Sequence, residues 1–395
     1  MLTKKLDKNN FENINSLLFV LFIFSNVLTL PIVKLTKSTL FFWAFIIFIF
    51  VYSLYINRRL DTRFVLIVAL FTSIFMLNAL FVNYQIKIIR EYVIFFRYGI
   101  LALYFAMLVK DYNKLIYYWY YIGIISFFIS NFYLDYYRRT NGYMNYGINL
   151  TYSFLGFAIY HYNYSENSKV HKLIQKIFIL VSFVQILIFA NRSSMLICLF
   201  VLIFCELNNL KRKNILSTIL KVTIGLIISI YCLLNINNIL ILINTGLQKL
   251  GIYSYSLTKY ILTLQEGITG IITQSSGRDT LVKISLDLIN ESNFMPNGVG
   301  YFEYITGKPY PHNIFLELAL DFGIFGIIGF VILIVIIMNK YLLYSRENTK
   351  FKCIVGVIFI YAFTRLMFSG RYWTEALFWA GIGLVIFYDS NKNIQ

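Results

Sequence analysis

The chain is poor in charged residues, cysteine, proline and histidine. Charged residues make up 13% of its 395 positions, about half the share of an ordinary soluble domain. The cysteines all lie in apolar segments without CxxC or Cys/His metal spacing: Cys198, Cys205, Cys232 and Cys353. We therefore expect small buried thiols and no zinc or redox site. The low charge excludes an ordinary soluble domain.

Long apolar runs take the place of the missing charge. The chain is 59% hydrophobic, and runs long enough to cross a hydrocarbon core of about 30 Å recur from end to end. We predict an all-α polytopic membrane protein with about twelve transmembrane helices and one large extracytoplasmic loop. The predicted spans are 14–33, 38–57, 64–82, 93–109, 115–132, 148–162, 173–191, 193–208, 215–235, 313–338, 353–369 and 372–388.

The net charge of +17 comes from short basic clusters between apolar runs. Clusters near residues 4–8, 58–63, 211–213 and 340–352 all fall on one side of the predicted topology, which the positive-inside rule identifies as cytoplasmic. Both termini are therefore predicted to be cytoplasmic. A nucleic-acid partner is not expected, because no soluble domain gathers the basic residues on one face.

The predicted loop divides the chain into three parts. We expect an N-terminal bundle of about nine spans over 1–235, an extracytoplasmic loop over 236–312, and about three C-terminal spans over 313–395. Within the loop, Leu281, Ile284 and Leu288 mark one face of a helix in RDTLVKISLDLI. A loop of this length with its own elements usually carries function.

Charged residues within or beside the spans converge on the outer membrane level. They are Arg97, Arg192, Glu317, Asp321, Arg365, Arg371 and Glu375. One interpretation is structural, with Glu317 or Asp321 paired to Arg365 or Arg371, since intramembrane charges usually find partners. Arg192 and Arg278 lack an obvious local acid other than Asp279. Their planar guanidinium groups would suit an anionic ligand such as phosphate.

His312 is one of three histidines and lies where the loop meets the tenth predicted span. It adjoins Asn313, the carboxylates of Glu317 and Asp321, and the glycine-rich turn PNGVGYF at 296–302. A neutral imidazole can take a proton from a hydroxyl group, so His312 is a candidate base. A helix cap or an interface histidine is the structural alternative.

Several common catalytic motifs are missing. The chain has no GxxxxGK[ST] phosphate loop, no HExxH zinc site, no GxSxG elbow and no outward Asp-x-Asp pair. We therefore expect no cofactor and no metal. An outward-facing enzyme of this kind needs a substrate that arrives activated, for which a lipid-linked diphosphate would fit.

The stretch HNIFLELALDFGIFG resembles the signature of the O-antigen ligase and Wzy-type polymerase superfamily. That signature begins with a His and then an Asn, Ser or Gln. Nine further residues precede a Gly, and two more residues precede a small residue or Tyr. His312, Asn313, Gly323 and Gly326 fit these positions. NRSS resembles the family's outward arginine, and SGRDTLVKISLDLI with PNGVGYF resembles its loop arginine and Gly-x-Gly turn. The similarity covers about residues 190–330.

The resemblance implies a metal-independent, inverting glycosyltransferase with a GT-C-like fold in the bacterial cytoplasmic membrane. Arg192 and Arg278 would bind the diphosphate of an undecaprenyl-linked oligosaccharide, and His312 would activate the acceptor hydroxyl. The substrate-binding candidates around these three residues are Asn313, Gly298, Gly300, Glu317, Arg365 and Arg371.

Polymerisation of repeat units into O-antigen or capsular polysaccharide is the favoured function. The alternatives are an O-antigen ligase that transfers glycan to lipid A–core or a related acceptor, and a flippase for lipid-linked oligosaccharide. Besides the lipid bilayer, a chain-length regulator and a flippase are candidate partners. The sugar, the linkage and the oligomeric state cannot be read from the sequence.

Overall fold

The computed structural model describes residues 8–139, 142–164, 168–189, 192–208, 223, 236–249, 251, 257–258, 261–262 and 278–388. All regular elements in this part of the chain are helices, and the described residues contain no strand. The chain forms two compact units. The first unit comprises Met1–Asn131 and Thr280–Gln395, and the second comprises Phe132–Asp279.

The first unit is built from helices on both sides of the second unit in sequence. Its N-terminal helices are Lys8–Ile23, Ser25–Leu28, Leu30–Thr36, Leu40–Asn57, Thr62–Phe81, Gln85–Phe95, a π-helical turn Phe96–Ile100, Leu101–Leu108 and Tyr112–Phe132. Its C-terminal helices are Arg278–Glu291, Tyr301–Thr306, Ile314–Glu347, Thr349–Phe368 and Ala376–Ile386. Tyr112–Phe132 and Arg278–Glu291 run across the division between the units.

The second unit packs three long helices against one another. Tyr143–Asn163 contacts both Lys169–Phe189 and Arg192–Asn208, and the last two also contact each other. Its described residues also include the helices Leu134–Arg139 and Ile236–Lys249. The predicted division of the chain at 235 and 312 is based on membrane topology, whereas the two units are groups of helices that pack together. The predicted division therefore stays a prediction.

The structure is that of a multi-pass membrane protein. Among the described residues, seven helices are long and apolar enough to cross a bilayer. They are Leu40–Asn57, Thr62–Phe81, Gln85–Leu108, Tyr112–Phe132, Lys169–Phe189, Ile314–Glu347 and Thr349–Phe368. Each corresponds to a predicted span. Many large apolar side chains on these helices are exposed, as expected of surfaces that face lipid.

The other five predicted spans are not among these seven. The span 148–162 lies in the 21-residue helix Tyr143–Asn163. Apolar helices cover Asn10–Ile23, Ser193–Asn208 and Ala376–Ile386, which are only 10–17 residues long. The segment 14–33 is divided into three helices, and Pro31 near the start of the third has no N–H to continue the preceding one. The span 215–235 lies outside the described residues. The number twelve therefore stays a prediction.

Two expectations about buried residues are confirmed. Cys198, Cys205 and Cys353 are buried free thiols, while Cys232 lies outside the described residues. The predicted loop helix is present as Arg278–Glu291. Its predicted apolar face, Leu281, Ile284 and Leu288, packs against a cluster formed by Ile289, Phe302, Ala319 and Leu320.

The first unit has two polar ends because its long helices run back and forth. At one end, here called the basic end, the side chains of Asn15 and Asn57 are hydrogen-bonded, and the amine of Lys110 donates to the carbonyl of Phe387. The opposite end, here called the network end, joins residues 84–91 to residues 297–303 and 369–373. The candidate site lies at the network end.

Candidate active site

A break in helix Ile314–Glu347 shapes the network end. At Gly323 the backbone has φ +63° and ψ −152°, which interrupts the helical conformation. A Cβ atom at this position would overlap the carbonyl oxygen of Phe294. A Cβ at Gly326 would approach within 2.8 Å of the carbonyl oxygen of Leu318, two helical turns earlier. Both glycines of the sequence signature therefore have a steric reason in the fold.

The segment 294–300 satisfies the backbone groups that the break releases. The amide of Ile324 donates to the carbonyl of Phe294 at 3.0 Å, and the amide of Gly298 donates to the carbonyl of Asp321 at 2.9 Å. Such bonds are needed because an unsatisfied backbone group is costly at membrane depth. The turn and the broken helix thus form one hydrogen-bonded substructure.

The glycine-rich turn also contacts the side chain of Asp321. Gly298 and Gly300 have φ angles of +96° and +79°, a region that favours glycine. The amide of Gly300 donates to Oδ1 of Asp321 at 3.2 Å. A Cβ at Gly298 would lie 2.8 Å from the hydroxyl oxygen of Tyr84. These contacts give both glycines a packing role, and their predicted role in substrate binding stays a prediction.

Arg371 is the centre of a buried ion network. Its Nη2 atom lies 2.8 Å from Oε2 of Glu303, and its Nη1 atom lies 3.4 Å from both carboxylate oxygens of Glu91. Its Nε atom lies 3.7 Å from Oε1 of Glu317. The predicted ion pair between Glu317 and Arg371 is therefore present, and Arg371 is committed to three carboxylates.

Carboxylates outnumber cations in this network. Besides the three acids on Arg371, Asp321 is only 1% exposed, and the second cation is Lys87, whose amine lies 3.5 Å from Glu303. The indole of Trp373 donates to Glu91 at 2.9 Å and adds a neutral donor. Arg371 and Lys87 are both already paired with carboxylates, so they are poor ligands for a further anion.

Tyr372 links Asp321 to the turn between helices Thr349–Phe368 and Ala376–Ile386. Its hydroxyl donates to Oδ2 of Asp321 at 3.0 Å. The ordinary pKa of a tyrosine phenol is about 10, well above neutral pH. The phenol therefore stays protonated and remains a hydrogen-bond donor to the carboxylate.

Arg365 belongs to a second buried pair. Its Nε atom lies 3.3 Å from Glu375, and its Nη1 atom donates to the hydroxyl of Ser369 at 2.8 Å. Both charged residues are buried, at 9% and 5% exposure. The pair joins the two sides of the turn that carries Arg371. Arg365 therefore helps to fix Arg371 in place.

His312 lies beside this network in a backbone conformation that favours glycine, with φ +61°. Its imidazole packs on the ring of Tyr310, with ring centres 4.2 Å apart. The hydroxyl of Tyr310 donates to the carbonyl of Ser369 at 2.6 Å, and the guanidinium of Arg371 lies 5.5 Å from the Tyr310 ring centre. One aromatic ring therefore connects the candidate base to the ion network.

Asn313 forms the N-cap of the broken helix. Its side-chain oxygen accepts from the amides of Phe315 and Leu316 at 2.9 and 3.3 Å. This capping contact explains the residue type next to His312, since Asn is among the preferred N-cap residues. Its predicted role in substrate binding is untested.

The two arginines predicted to bind diphosphate belong to the second unit. Arg192 is the first residue of helix Arg192–Asn208, and its side chain lies outside the described residues. Arg278 is the first residue of helix Arg278–Glu291, and its side chain is partly buried. Whether these arginines meet His312 stays a prediction.

Sequence reasoning missed most of the ion network. Glu91, Lys87, Glu303, Tyr372 and Trp373 were not among the candidates, although all contact it. Glu91 carried a usable signal, because a carboxylate inside an apolar span needs a partner. The others are common residue types at a membrane interface and carry no such signal.

No protein-family profile, curated protein or solved structure matches this chain. Among the described residues, no group of three or more His, Cys, Asp or Glu side chains could hold a metal ion. The geometry of the network end is therefore the main structural guide to function.

Proposed function

We propose that the protein is a membrane glycosyltransferase that polymerises undecaprenyl-diphosphate-linked oligosaccharide units into O-antigen or capsular polysaccharide. The observation that carries the proposal is the placement of His312. It combines a left-handed backbone, a contacting aromatic ring and a buried ion network at the start of a broken membrane helix. Strained residues with such support are typical of functional sites.

His312 acts as the base in the proposed reaction. The acceptor hydroxyl of one sugar attacks the anomeric carbon of the donor sugar, and the bond from that carbon to the diphosphate oxygen breaks. The hydroxyl proton passes to the imidazole, and undecaprenyl diphosphate leaves with the electron pair. A single displacement of this kind inverts the anomeric configuration.

The ion network positions the base and does not bind the diphosphate. Arg371 is surrounded by carboxylates and contacts the face of Tyr310, on which His312 packs. Arg371, Glu317 and Arg365 are therefore positioning residues in this proposal. The diphosphate is left to Arg192 and Arg278, since both cations of the network are already paired with carboxylates.

The proposed topology places the network end outside the bacterial cytoplasmic membrane. The basic end carries Arg58, Arg59, Arg63, Arg346 and Lys350, as cytoplasmic ends of membrane proteins do. Helix Lys8–Ile23 begins at this end, and Ala376–Ile386 finishes there. This arrangement supports cytoplasmic termini. The proposal keeps the twelve predicted spans and the outward loop over 236–312.

The decisive test is glycan analysis in a strain that lacks the gene and carries either the wild type or His312→Ala. We expect His312→Ala to reduce polymer by at least 100-fold, in line with the loss of a general base, while single repeat units still reach the final acceptor. The matched control is His161→Ala, which removes a histidine of the second unit that contacts Gln175 at 2.9 Å. Full polymer from His312→Ala at wild-type protein level contradicts the proposal.

The same experiment separates the alternatives. A ligase that transfers glycan to lipid A–core would leave long polymer on undecaprenyl diphosphate and none on the surface. A transporter of lipid-linked oligosaccharide would leave repeat units on the cytoplasmic leaflet. The transporter remains an alternative because broken membrane helices, such as the one at Gly323, also occur in transporters.

A further inference from the structure

A cleft of about 490 Å³ opens at the network end, beside the ion network. Its volume is within the range of about 300–1,000 Å³ that is common for small-molecule sites. The residues that matter for its chemistry are Asn83, Tyr84, Gln85, Lys87, Glu303 and Tyr304. All belong to the first unit. Lys87 and Glu303 are also members of the ion network, and the other four have no part in the reaction proposed above.

One wall of the cleft is a stacked tyrosine pair. The rings of Tyr84 and Tyr304 have centres 4.6 Å apart and planes inclined by 24°. The hydroxyl of Tyr84 donates to the carbonyl of Asn297 at 2.6 Å, which fixes this ring in place. Tyr304 is still 53% exposed although Tyr84 covers one of its faces. The pair therefore presents a rigid aromatic surface to the cleft.

Other residues of the cleft lining supply hydrogen-bonding groups. The amide side chains of Asn83 and Gln85 are exposed and can each donate and accept. Glu303 binds Arg371 and Lys87 through Oε2, while its side chain remains 33% exposed. A carboxylate held by two cations in this way is a preorganised acceptor for hydroxyl groups.

The charges of the lining balance one another. Lys87 and Arg90 provide two positive charges, and Glu91 and Glu303 provide two negative charges. A phosphate group or a carboxylate would meet as much repulsion as attraction, so the lining does not favour an anion. A neutral ring with several hydroxyl groups satisfies both kinds of partner at once.

We propose that this cleft binds a pyranose ring of a membrane-associated glycan. One face of the ring, with its C–H groups, lies on the Tyr84–Tyr304 surface, because the electron-rich face of an aromatic ring attracts polarised C–H groups. The hydroxyl groups bind Asn83, Gln85 and Glu303. The inference deepens the proposed function, on which it rests for the identity of the glycan as the acceptor. Whether a sugar binds in the cleft can be measured independently of the proposed function.

The test is saturation-transfer NMR on the full-length protein in nanodiscs of phosphatidylcholine and phosphatidylglycerol, prepared without glycoside detergents. The probes are the methyl pyranosides of glucose, galactose, mannose and N-acetylglucosamine. We expect saturation to reach the ring C–H protons of at least one probe. Tyr304→Ala should lower this signal by threefold or more. Tyr55→Ala, which removes a tyrosine that is 74% exposed at the basic end, should leave it unchanged.

Gln85→Ala is a second variant in case Tyr304→Ala fails to fold. Gln85 is exposed, so its truncation should leave the thermal unfolding midpoint unchanged while weakening the signal. The cleft proposal is overturned if no probe gives a signal, or if a folded Tyr304→Ala or Gln85→Ala protein retains the full signal.

Glycan analysis of the His312→Ala strain distinguishes this failure from failure of the proposed function. No probe signal together with polymer loss in His312→Ala rejects the sugar cleft and keeps the glycosyltransferase. A tyrosine-dependent signal together with full polymer in His312→Ala keeps a sugar site and rejects the polymerase. A tyrosine-dependent signal with polymer loss supports both.

Discussion

The two ends of the first unit carry their charges in opposite ways. At the network end the carboxylates of Glu91, Glu317 and Asp321 are at most 4% exposed and are tied to residues far away in the chain. At the basic end the arginines stand mainly in solvent, as in the pair of Arg63 with Asp61, whose side chains are 59% and 31% exposed.

This difference separates two uses of charge in one membrane protein. Exposed cations at a helix end set the orientation of the chain but contribute little to stability. Buried carboxylates must be paired, and their partners hold segments in fixed positions. The charges of the network end therefore hold segments in place, and those of the basic end do not. Substitutions that are matched between the two ends test this difference.

The largest difference is expected between Arg371→Gln and Arg63→Gln. Arg371→Gln leaves three carboxylates without their shared cation, and breaking a buried pair costs about 3–5 kcal/mol. Arg63→Gln removes an exposed pair and should cost less than about 1 kcal/mol. The thermal unfolding midpoint, measured by fluorescence-detected size exclusion, compares the two variants. Equal midpoints would mean that the network is not a stabilising structure.

A smaller but more local effect is expected from Gly323→Ala. The required backbone conformation costs a non-glycine residue about 1–3 kcal/mol, and overlap with the carbonyl of Phe294 adds to this. Gly329→Ala in the same helix is the matched control, because nothing lies within 4 Å of its Cβ position. We expect a lowered unfolding midpoint for Gly323→Ala alone. A normal midpoint for both variants would argue against the break in the helix.

The smallest difference is expected between two tyrosines that each donate one hydrogen bond. Tyr372→Phe removes a bond to the carboxylate of Asp321 and should cost about 1.5–3 kcal/mol. Tyr341→Phe removes a bond to the carbonyl of Lys352 at the basic end and should cost about 0.5–1.5 kcal/mol. The same unfolding measurement ranks them. A larger loss for Tyr341→Phe would contradict the stronger role assigned to the network end.

The helical architecture could be predicted from local sequence. Seven predicted spans correspond to long apolar helices, since each such run satisfies its own backbone bonds. The loop helix Arg278–Glu291 was visible from the periodic placement of Leu281, Ile284 and Leu288. The ion pair of Glu317 with Arg371 was among the predicted pairings, because a carboxylate in an apolar helix demands a cation.

The composition of the network could not be predicted in the same way. Glu91 and Arg371 are 280 positions apart in sequence, and Tyr84 and Asn297 are 213 apart. No local pattern specifies such pairs, because they depend on how the helices pack. The hydrogen bonds from the amides of Gly298 and Gly300 to Asp321 likewise follow from packing and not from a local pattern.

The sequence by itself determined that this is a multi-pass helical membrane protein, because hydropathy and helical periodicity act over neighbouring residues. It also pointed to His312 and to the need for partners of the buried acids. Only the tertiary structure decided which partners they have, that Gly323 breaks the helix beside them, and that a tyrosine-lined cleft opens next to the network. These features arise from contacts between distant segments, whose geometry is set by the packing of the whole first unit.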